Sequence, residues 1–301
     1  MLSISALLRA QDTSKDNEIY LADVSKSNGT VSIALPVNIS RHTGYDNQPW
    51  FTTDNRALLF SSIRGENNPT KQHDIYKYVI NDSTTSQLTN TPESEFSPMI
   101  IPDDGQSISV VRVEKDSTQR IWRFDAKGMN PRLVLPSIPR VGYYAWIGAA
   151  HLALYIISPQ RNQAPSVQLA QVQDSLIRVD TIDTQCGRCF RRIPSSIALS
   201  QAAFSYIHRT NDSLWTLKRV NLKNRIVSQI FSLPAGTEDY TWMQNGTVLW
   251  GKGRTIYARH ARKDSAWREI ADFSRVLPEG SIKRIVLSPD EKRIAFVWQQ
   301  E

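Results

Sequence analysis

The chain has 301 residues, of which 40% are hydrophobic, a fraction typical of a globular protein with a substantial core. Its formal net charge is +7, but the basic residues are dispersed rather than gathered into dense runs, which favours a solvated basic surface over a nucleic-acid site. No stretch of about 18 apolar residues occurs, so the sequence excludes a membrane-spanning helix.

The N-terminus begins with a short apolar run, Leu2 to Leu8, which is followed by small and polar residues. This pattern is typical of the end of a secretory signal peptide, with a cleavage site near Ala10 or Gln11. The alternative is a short disordered or strand-edge tail. We therefore expect residues 1–11 to lie outside the folded domain, and we expect an exported protein that is periplasmic or secreted.

A weak internal repeat runs through the rest of the chain, as an Ile-Tyr-type dipeptide that recurs every 42 to 56 residues. The copies are Ile19-Tyr20, Ile75-Tyr76, Ile121-Trp122, a degenerate Val167-Gln168, Leu214-Trp215 and Ile256-Tyr257. A repeat of this period indicates one supersecondary unit per copy. Apolar and polar residues alternate within the units and long helical periodicity is absent, so the pattern predicts short β-strands.

Each unit is predicted to hold four strands, with the dipeptide on the third. A tight turn joins the first strand to the second, and its Asp, Asn and Gly residues suit positive φ angles. The clearest turns are Thr53-Asp54-Asn55-Arg56, Pro102-Asp103-Asp104-Gly105, Gln244-Asn245-Gly246 and Ser288-Pro289-Asp290-Glu291.

The two ends of the chain complement each other. The C-terminus supplies only two strands, 283–287 and 293–298, whereas the N-terminus supplies a third strand, 18–23, and a fourth within 31–39. Joining them completes one unit and closes a ring that has no free sheet edge. The prediction is an all-β, six-bladed β-propeller with four antiparallel strands per blade, formed as a single domain by residues 18–301. The predicted blades are 47–94, 95–140, 141–188, 189–237, 238–280, and 281–301 with 18–40.

Two segments carry a resemblance to a known family. Leu287 to Phe296, Leu-Ser-Pro-Asp-Glu-Lys-Arg-Ile-Ala-Phe, resembles the PD40 (WD40-like) repeat, and a further copy comprises 51–60, Asp74-Ile-Tyr76 and Gln87-Leu-Thr89. The chain therefore resembles the TolB-like six-bladed propellers. It is similar in particular to an exported bacterial branch that carries Gly-Tyr-Asp-Asn-Gln-Pro, here 44–49, and Pro-Glu-Ser-Glu-Phe-Ser-Pro, here 92–98.

Propeller geometry predicts where a site would lie. The loops that enter the first strands and leave the second strands share one face, around the mouth of the central channel. Tyrosines there offer stacking surfaces and arginines offer bidentate contacts to carboxylates. The candidate ligand-binding residues are His42, Tyr45, Asp46, Gln48, Glu95, Arg112, Tyr143, Tyr144, Arg192, His208, Glu238, Asp239 and Tyr240. The alternative is a structural ring of salt bridges between blades.

No catalytic motif stands out. The chain has no Gly-x-Ser-x-Gly elbow and no Gly-rich phosphate loop between a strand and a helix. We therefore expect a monomeric, non-catalytic binding or scaffold propeller of the bacterial envelope. Its partner would be a protein, a peptide or a small ligand such as a sugar, with no nucleic acid and no cofactor. The alternative is a lyase or hydrolase acting on a glycan or small molecule, with His42, Glu95, Asp239 and His208 at its site and a divalent metal ion.

The only cysteines form one motif, Cys186-Gly-Arg-Cys189. Its flanks lack the helical pattern of a redox motif, and two ligands cannot complete a zinc site. The motif is expected to be a loop-closing disulfide or a pair of inert thiols.

Overall fold

The computed structural model describes residues 16–27, 30–64, 72–173, 176–198, 202–236, 238–264 and 266–300. They form 25 strands and one short helix, α1 (Ser195–Ala198). The strands are β1 (Asn17–Ser27), β2 (Thr30–Ile33), β3 (Val37–Asn38), β4 (Asp46–Phe51), β5 (Ala57–Ser62), β6 (Asp74–Val79), β7 (Thr84–Gln87), β8 (Ser94–Ile100), β9 (Ile108–Val113), β10 (Gln119–Phe124), β11 (Arg132–Leu133), β12 (Val141–Gly148), β13 (His151–Ile156), β14 (Ser166–Gln173), β15 (Leu176–Thr184), β16 (Cys186–Arg192), β17 (Ala203–His208), β18 (Leu214–Asn221), β19 (Val227–Pro234), β20 (Tyr240–Trp242), β21 (Thr247–Lys252), β22 (Thr255–His260), β23 (Arg268–Asp272), β24 (Gly280–Leu287) and β25 (Arg293–Gln300). The predicted tail, 1–11, falls outside the described residues.

The strands form six antiparallel sheets arranged in a ring. Five sheets are runs of four consecutive strands, β4–β7, β8–β11, β12–β15, β16–β19 and β20–β23. The first strand of each sheet contacts the first strand of the next, and β24 contacts β4, which closes the inner ring. The predicted six-bladed β-propeller is therefore confirmed.

The sixth blade combines both ends of the chain, as expected. Its strand order is β2-β1-β25-β24, and β1 is paired with β25 so that Ile19 lies opposite Val297. The outer position of this blade is divided between two short strands. β2 pairs with the end of β1, while β3 pairs with Tyr20 and Leu21.

The turns between first and second strands follow the predicted chemistry. Asn55, Gly105 and Gly246 have positive φ angles. In the first of these turns, Asp54 Oδ1 accepts the Thr52 hydroxyl at 2.6 Å and the Arg56 N–H at 3.0 Å. The hydrogen bond from the Thr52 hydroxyl lowers the pKa of Asp54, since it stabilises the charged carboxylate.

The core lies between neighbouring blades, and the repeated dipeptide supplies much of it. Its first residue is fully buried in five of the six copies. Burial of an aliphatic side chain of this size stabilises the fold by about 1.5–3 kcal/mol. The fourth blade is the exception, since Leu214 is 44% exposed. Leu217 lies in the core instead, where it is 1% exposed and opposite Ile207.

Blade 4 departs from the expected local structure in two further respects. β16 begins at Cys186, so the whole cysteine motif lies on the inner strand of this blade, whereas the predicted boundary at 188/189 divided it between two blades. Helix α1, which the alternating pattern did not predict, follows β16. Across the described part of the chain, no helix has the length and apolar character needed to cross a membrane.

Candidate functional site: the central channel

The inner strands are irregular where they approach the channel. Five of the six pairs of first and second strands contain a register shift, and the exception is β20 with β21. The shifts that border the channel lie between Asn47 and Trp50, Phe96 and Met99, Val141 and Tyr143, Cys186 and Phe190, and Ile282 and Arg284. Because a bulge changes the direction of the local side chains, these shifts determine what faces the channel.

The bulges of blades 1 and 2 are directly linked. Gln48 and Ser97 both adopt a left-handed backbone, with φ angles of 60° and 52°, although each precedes a proline. This conformation is uncommon for residues other than glycine and is disfavoured before proline. The Oε1 atom of Gln48 accepts the Ser97 N–H at 2.7 Å.

Two polar atoms of this pair lack partners. Gln48 is only 5% exposed, and its Nε2 donor has no hydrogen-bond partner among the described residues. The buried Oγ of Ser97 is likewise without one. An unsatisfied buried group costs about 1–3 kcal/mol, so both positions are unfavourable unless something else binds there.

A partly buried ion pair lies on the other side of the channel. Arg188 on β16 approaches Asp239 Oδ2 with Nε at 2.9 Å and Nη2 at 2.8 Å. Arg188 also donates to the Lys283 carbonyl at 3.2 Å. The neighbouring carboxylate of Asp239 raises the pKa of Arg188 against the opposing effect of its burial, so this guanidinium remains charged.

Arg284 on β24 is the second channel arginine. Its Nε donates to Asn47 Oδ1 at 2.8 Å, and its Nη1 lies 3.6 Å from Asp239 Oδ1. The guanidinium lies over the ring of Tyr143, 5.2 Å from its centroid. Asp239 is therefore shared between Arg188 and Arg284.

Arg191 is the third channel arginine, and it differs from the other two. Its donors bond the carbonyls of Phe190, Tyr240 and Ile285 at 3.0–3.3 Å, and its guanidinium lies 5.4 Å from the centroid of Trp50. In the described ranges, no carboxylate forms an ion pair with it. Among the described residues, its charge is balanced by carbonyl dipoles and the face of the Trp50 ring.

These side chains surround one small cavity at the centre of the ring. Its volume is about 60 Å³, and residues from all six blades line it. The lining residues are Gln48, Pro49, Trp50, Ser97, Pro98, Met99, Tyr143, Tyr144, Arg188, Cys189, Phe190, Arg191, Asp239, Arg284 and Ile285. Three guanidinium groups and one carboxylate face it, so the cavity is electropositive.

The predicted site residues divide into separate groups. Gln48, Tyr143, Tyr144 and Asp239 line the cavity together. The Tyr144 hydroxyl donates to Ser109 Oγ at 2.7 Å, so it is already engaged.

Most of the other predicted residues form ion pairs within or between blades or, in the case of the two histidines, approach a carboxylate. Asp46 bonds Arg64 at 2.9 Å, Glu95 bonds Arg112 at 3.1 Å, Glu238 pairs with Arg209, and His208 lies 3.9 Å from Asp183. His42 approaches Asp46 at 3.9 Å. Of these contacts, Glu238 with Arg209 and His208 with Asp183 join neighbouring blades, whereas the others lie within one blade.

Three predicted residues lie neither in the cavity nor in ion pairs. Tyr45 packs edge-on against His73 and Phe96 in the core. The hydroxyl of Tyr240 hydrogen-bonds Ser205 Oγ at 2.8 Å in a buried position. Arg192 is exposed, while its neighbour Arg191 faces the cavity, because successive side chains of a strand point in opposite directions.

Glu95 occupies an unusual environment. Its carboxyl group is fully buried and accepts the hydroxyls of Thr91 at 2.5 Å and Thr89 at 3.1 Å. Burial raises its pKa to about 7, despite those hydrogen bonds and the nearby Arg112. Burial also raises the pKa of the adjacent Asp74.

Three arginines and Ser97 line the cavity but were not among the predicted site residues. One sequence signal for Ser97 is the proline that follows it. Pro98 occupies the place in its blade that Pro49, after Gln48, occupies in the preceding blade. For metal binding, no cluster of three or more His, Cys, Asp or Glu side chains placed to hold an ion occurs among the residues that the structure describes.

The fold places the chain in the class of six-bladed β-propellers. A presumed TolB from Agrobacterium tumefaciens is similar, with a TM-score of 0.68 and 12% identity over 95% of this chain and 99% of that chain. TolB from Acinetobacter baumannii has a TM-score of 0.57 and 12% identity, over 96% of this chain and 65% of that chain. An oligogalacturonate lyase in complex with manganese has a TM-score of 0.54 and 10% identity, over 90% of this chain and 83% of that chain.

The expected resemblance to TolB-like propellers is therefore confirmed at the level of the fold. No protein-family model matches the sequence, and no curated protein matches it. Because both binding proteins and enzymes use propellers, the function has to be argued from the site.

Proposed function

We propose that the chain is a non-catalytic binding or scaffold propeller of the bacterial cell envelope, periplasmic or secreted, and that it binds a protein, a peptide or a small ligand at its channel face. The observation that carries this proposal is the central cavity. Residues from all six blades line it, and it combines excess positive charge with polar atoms that have no partner among the described residues. The envelope location is supported by the signal-like pattern of residues 2–11.

The alternative is a lyase or hydrolase, and one similar fold belongs to an oligogalacturonate lyase in complex with manganese. The four candidate residues of that alternative, however, have separate partners in this chain. His42 approaches Asp46, Glu95 bonds Arg112, Asp239 bonds Arg188, and His208 approaches Asp183. A general acid or base must reach the reacting group directly or through one water molecule. The contacts of these four side chains therefore favour binding over catalysis.

Capture of partners from envelope extract tests this proposal. Wild-type protein and the variants Arg284→Gln and Arg56→Gln are immobilised at equal amounts. Arg284 lies in the channel, whereas Arg56 is exposed in a turn on the opposite face, which makes it the matched control. The expected result is a specific partner that wild type and Arg56→Gln retain and Arg284→Gln loses. Equal capture by all three proteins would contradict a channel-face site.

A further inference from the structure

We propose that the central cavity is a binding site for a single carboxylate group, held by Arg191, Arg284, Gln48 and Ser97. This inference rests on the proposed function, since it assumes that the channel face is the binding face. The ligand of that face would then be a molecule that carries a carboxylate.

The charges of the cavity support an anionic ligand. Three arginines face it and Asp239 is the only carboxylate in its described lining, so the positive charge is in excess. Asp239 is shared by Arg188 and Arg284, while Arg191 bonds only carbonyl oxygens. A guanidinium has five N–H donors, and the bonds of Arg191 use one on each of its three nitrogens. Arg191 therefore retains donors for a carboxylate, which a guanidinium binds in fork geometry.

The unpartnered polar atoms support the same ligand independently. The Nε2 of Gln48 can only donate, and the Ser97 hydroxyl can donate as well. Gln48 and Ser97 are both lining residues of the cavity, and the Oε1 of Gln48 already accepts the Ser97 N–H, which fixes the amide. An acceptor bound there would remove the cost of two buried groups without partners. The left-handed φ angles of Gln48 and Ser97 agree with this role, because backbone strain is concentrated at binding sites.

The size of the cavity limits what enters. One water molecule needs about 10–15 Å³ of such volume, so a cavity of about 60 Å³ has room for about four to six small groups. A carboxylate with one or two carbons fits, whereas a sugar ring does not. The ligand is therefore a small acid or the acidic end of a longer molecule that remains outside the cavity.

Asp239 favours a monoanion. Its carboxylate belongs to the same wall as the arginines and repels a doubly charged ligand more than a singly charged one. We therefore assign the site to a carboxylate rather than to a phosphate dianion.

Thermal unfolding of the purified protein tests the assignment. Sodium acetate is compared with sodium chloride at equal ionic strength and with acetamide, a neutral molecule of similar shape. We expect acetate to raise Tm by about 2 °C for each tenfold increase above its dissociation constant. Acetamide and chloride should have no comparable effect. The assignment is overturned if acetate gives no rise, if acetamide gives an equal rise, or if phosphate is more effective than acetate.

Two variants sharpen the test. Gln48→Glu keeps the acceptor for the Ser97 N–H and adds a carboxylate inside the cavity, so Tm should rise and the response to acetate should disappear. Arg191→Lys keeps the charge but loses the fork, so acetate should bind at least about tenfold more weakly. Arg56→Gln should respond as wild type does. A Gln48→Glu protein that is less stable than wild type and still responds fully to acetate would contradict the assignment.

The carboxylate could belong to the end of a peptide chain or to a free small acid. The rise in Tm with acetyl-triglycine and with its C-terminal amide distinguishes these two sources. A larger rise in Tm with the acid than with acetate indicates a chain end, and equal rises indicate a free small acid. Either result supports the carboxylate site, whereas equal effects of the acid and its amide contradict it. The two proposals can be contradicted independently. If wild type captures a partner but acetate does not raise its Tm, only the carboxylate site is contradicted. If acetate raises Tm but no partner is captured through the channel face, only the partner function is contradicted.

Discussion

Arg188 contacts one oxygen of Asp239 with two of its nitrogens, Nε at 2.9 Å and Nη2 at 2.8 Å. Arg188 lies on the inner strand of blade 4 and Asp239 directly precedes β20, so this pair joins blade 4 to blade 5. Arg284 of the composite blade approaches the other oxygen of Asp239 at 3.6 Å. A single carboxylate therefore links three blades at the channel and holds two of its three arginines in place.

Replacement of Asp239 should destabilise the protein strongly. Asp239→Ala leaves Arg188 and Arg284 as largely buried charges without a carboxylate partner, and loss of one member of a buried pair costs up to about 3–5 kcal/mol. Asp180 is a matched control, because it also contacts two arginines, Arg178 and Arg225, but its side chain is 24% exposed against 5% for Asp239. Asp180→Ala should cost about 1 kcal/mol or less in urea unfolding. Equal losses for the two variants would show that the channel ion pair is not buried as described.

Glu95 should make stability depend on pH. Its folded pKa, about 7, lies above its ordinary value of 4.5, so the folded state keeps a proton that the unfolded state releases between those values. The contribution of Glu95 is therefore fully present below about pH 4.5 and is lost as pH rises towards 7, by at most about 1.4 kcal/mol per pH unit. Glu95→Gln should lose less stability than wild type between pH 5 and pH 7.

Urea unfolding at several pH values measures this difference. Glu269 is exposed on β23, and Glu269→Gln is the control that should follow wild type. If Glu95→Gln also follows wild type across that range, the buried carboxyl is already ionised at pH 5.

The ring closure should depend on β1. Ile19 is fully buried between blades 6 and 1, so Ile19→Ala should cost about 2–5 kcal/mol. Val37 on β3 is 54% exposed, and Val37→Ala should change stability by about 0.5 kcal/mol or less.

Removal of residues 18–40 should abolish cooperative unfolding, since the last blade would keep only β24 and β25. A truncated protein with an unchanged Tm would refute the composite blade.

The two cysteines should be inert thiols. Cys186 and Cys189 are both free and buried, and burial raises the pKa of the Cys186 thiol to about 12 and that of Cys189 above its usual value. A thiol reagent should therefore react with neither in the native protein and with both in guanidinium without reductant. Denatured, unreduced protein without reactive thiols would indicate the disulfide instead.

The sequence predicted the fold because its signals are local. The turns of the blades contain Asp, Asn and Gly at positions that adopt positive φ, as Asn55 and Gly105 show. Strand alternation and the complementary ends of the chain then sufficed for six blades and their closure. The register within blade 4 was less visible, because Leu214 and Leu217 are both apolar and only pairing with β17 decides that Leu217 is buried.

The lining of the cavity was predicted only in part, for a related reason. Gln48, Tyr143, Tyr144 and Asp239 were expected at the channel and line its cavity. The sequence did not show that Arg188, Arg191 and Arg284 face the cavity. Their direction depends on β-bulges, which arise from the pairing of neighbouring strands. Arg191 and Arg192 illustrate this, since the strand register alone decides which of them faces the cavity.

A crystal structure of the wild-type protein grown with acetate would show the ligand of the cavity itself. We expect one carboxylate in the cavity, within hydrogen-bond distance of Arg191, Gln48 Nε2 and Ser97 Oγ. In Gln48→Glu, the introduced side chain should occupy its place. A cavity that contains only water in acetate-grown crystals, together with an introduced carboxylate that turns away from the arginines in the Gln48→Glu variant, would contradict the carboxylate site.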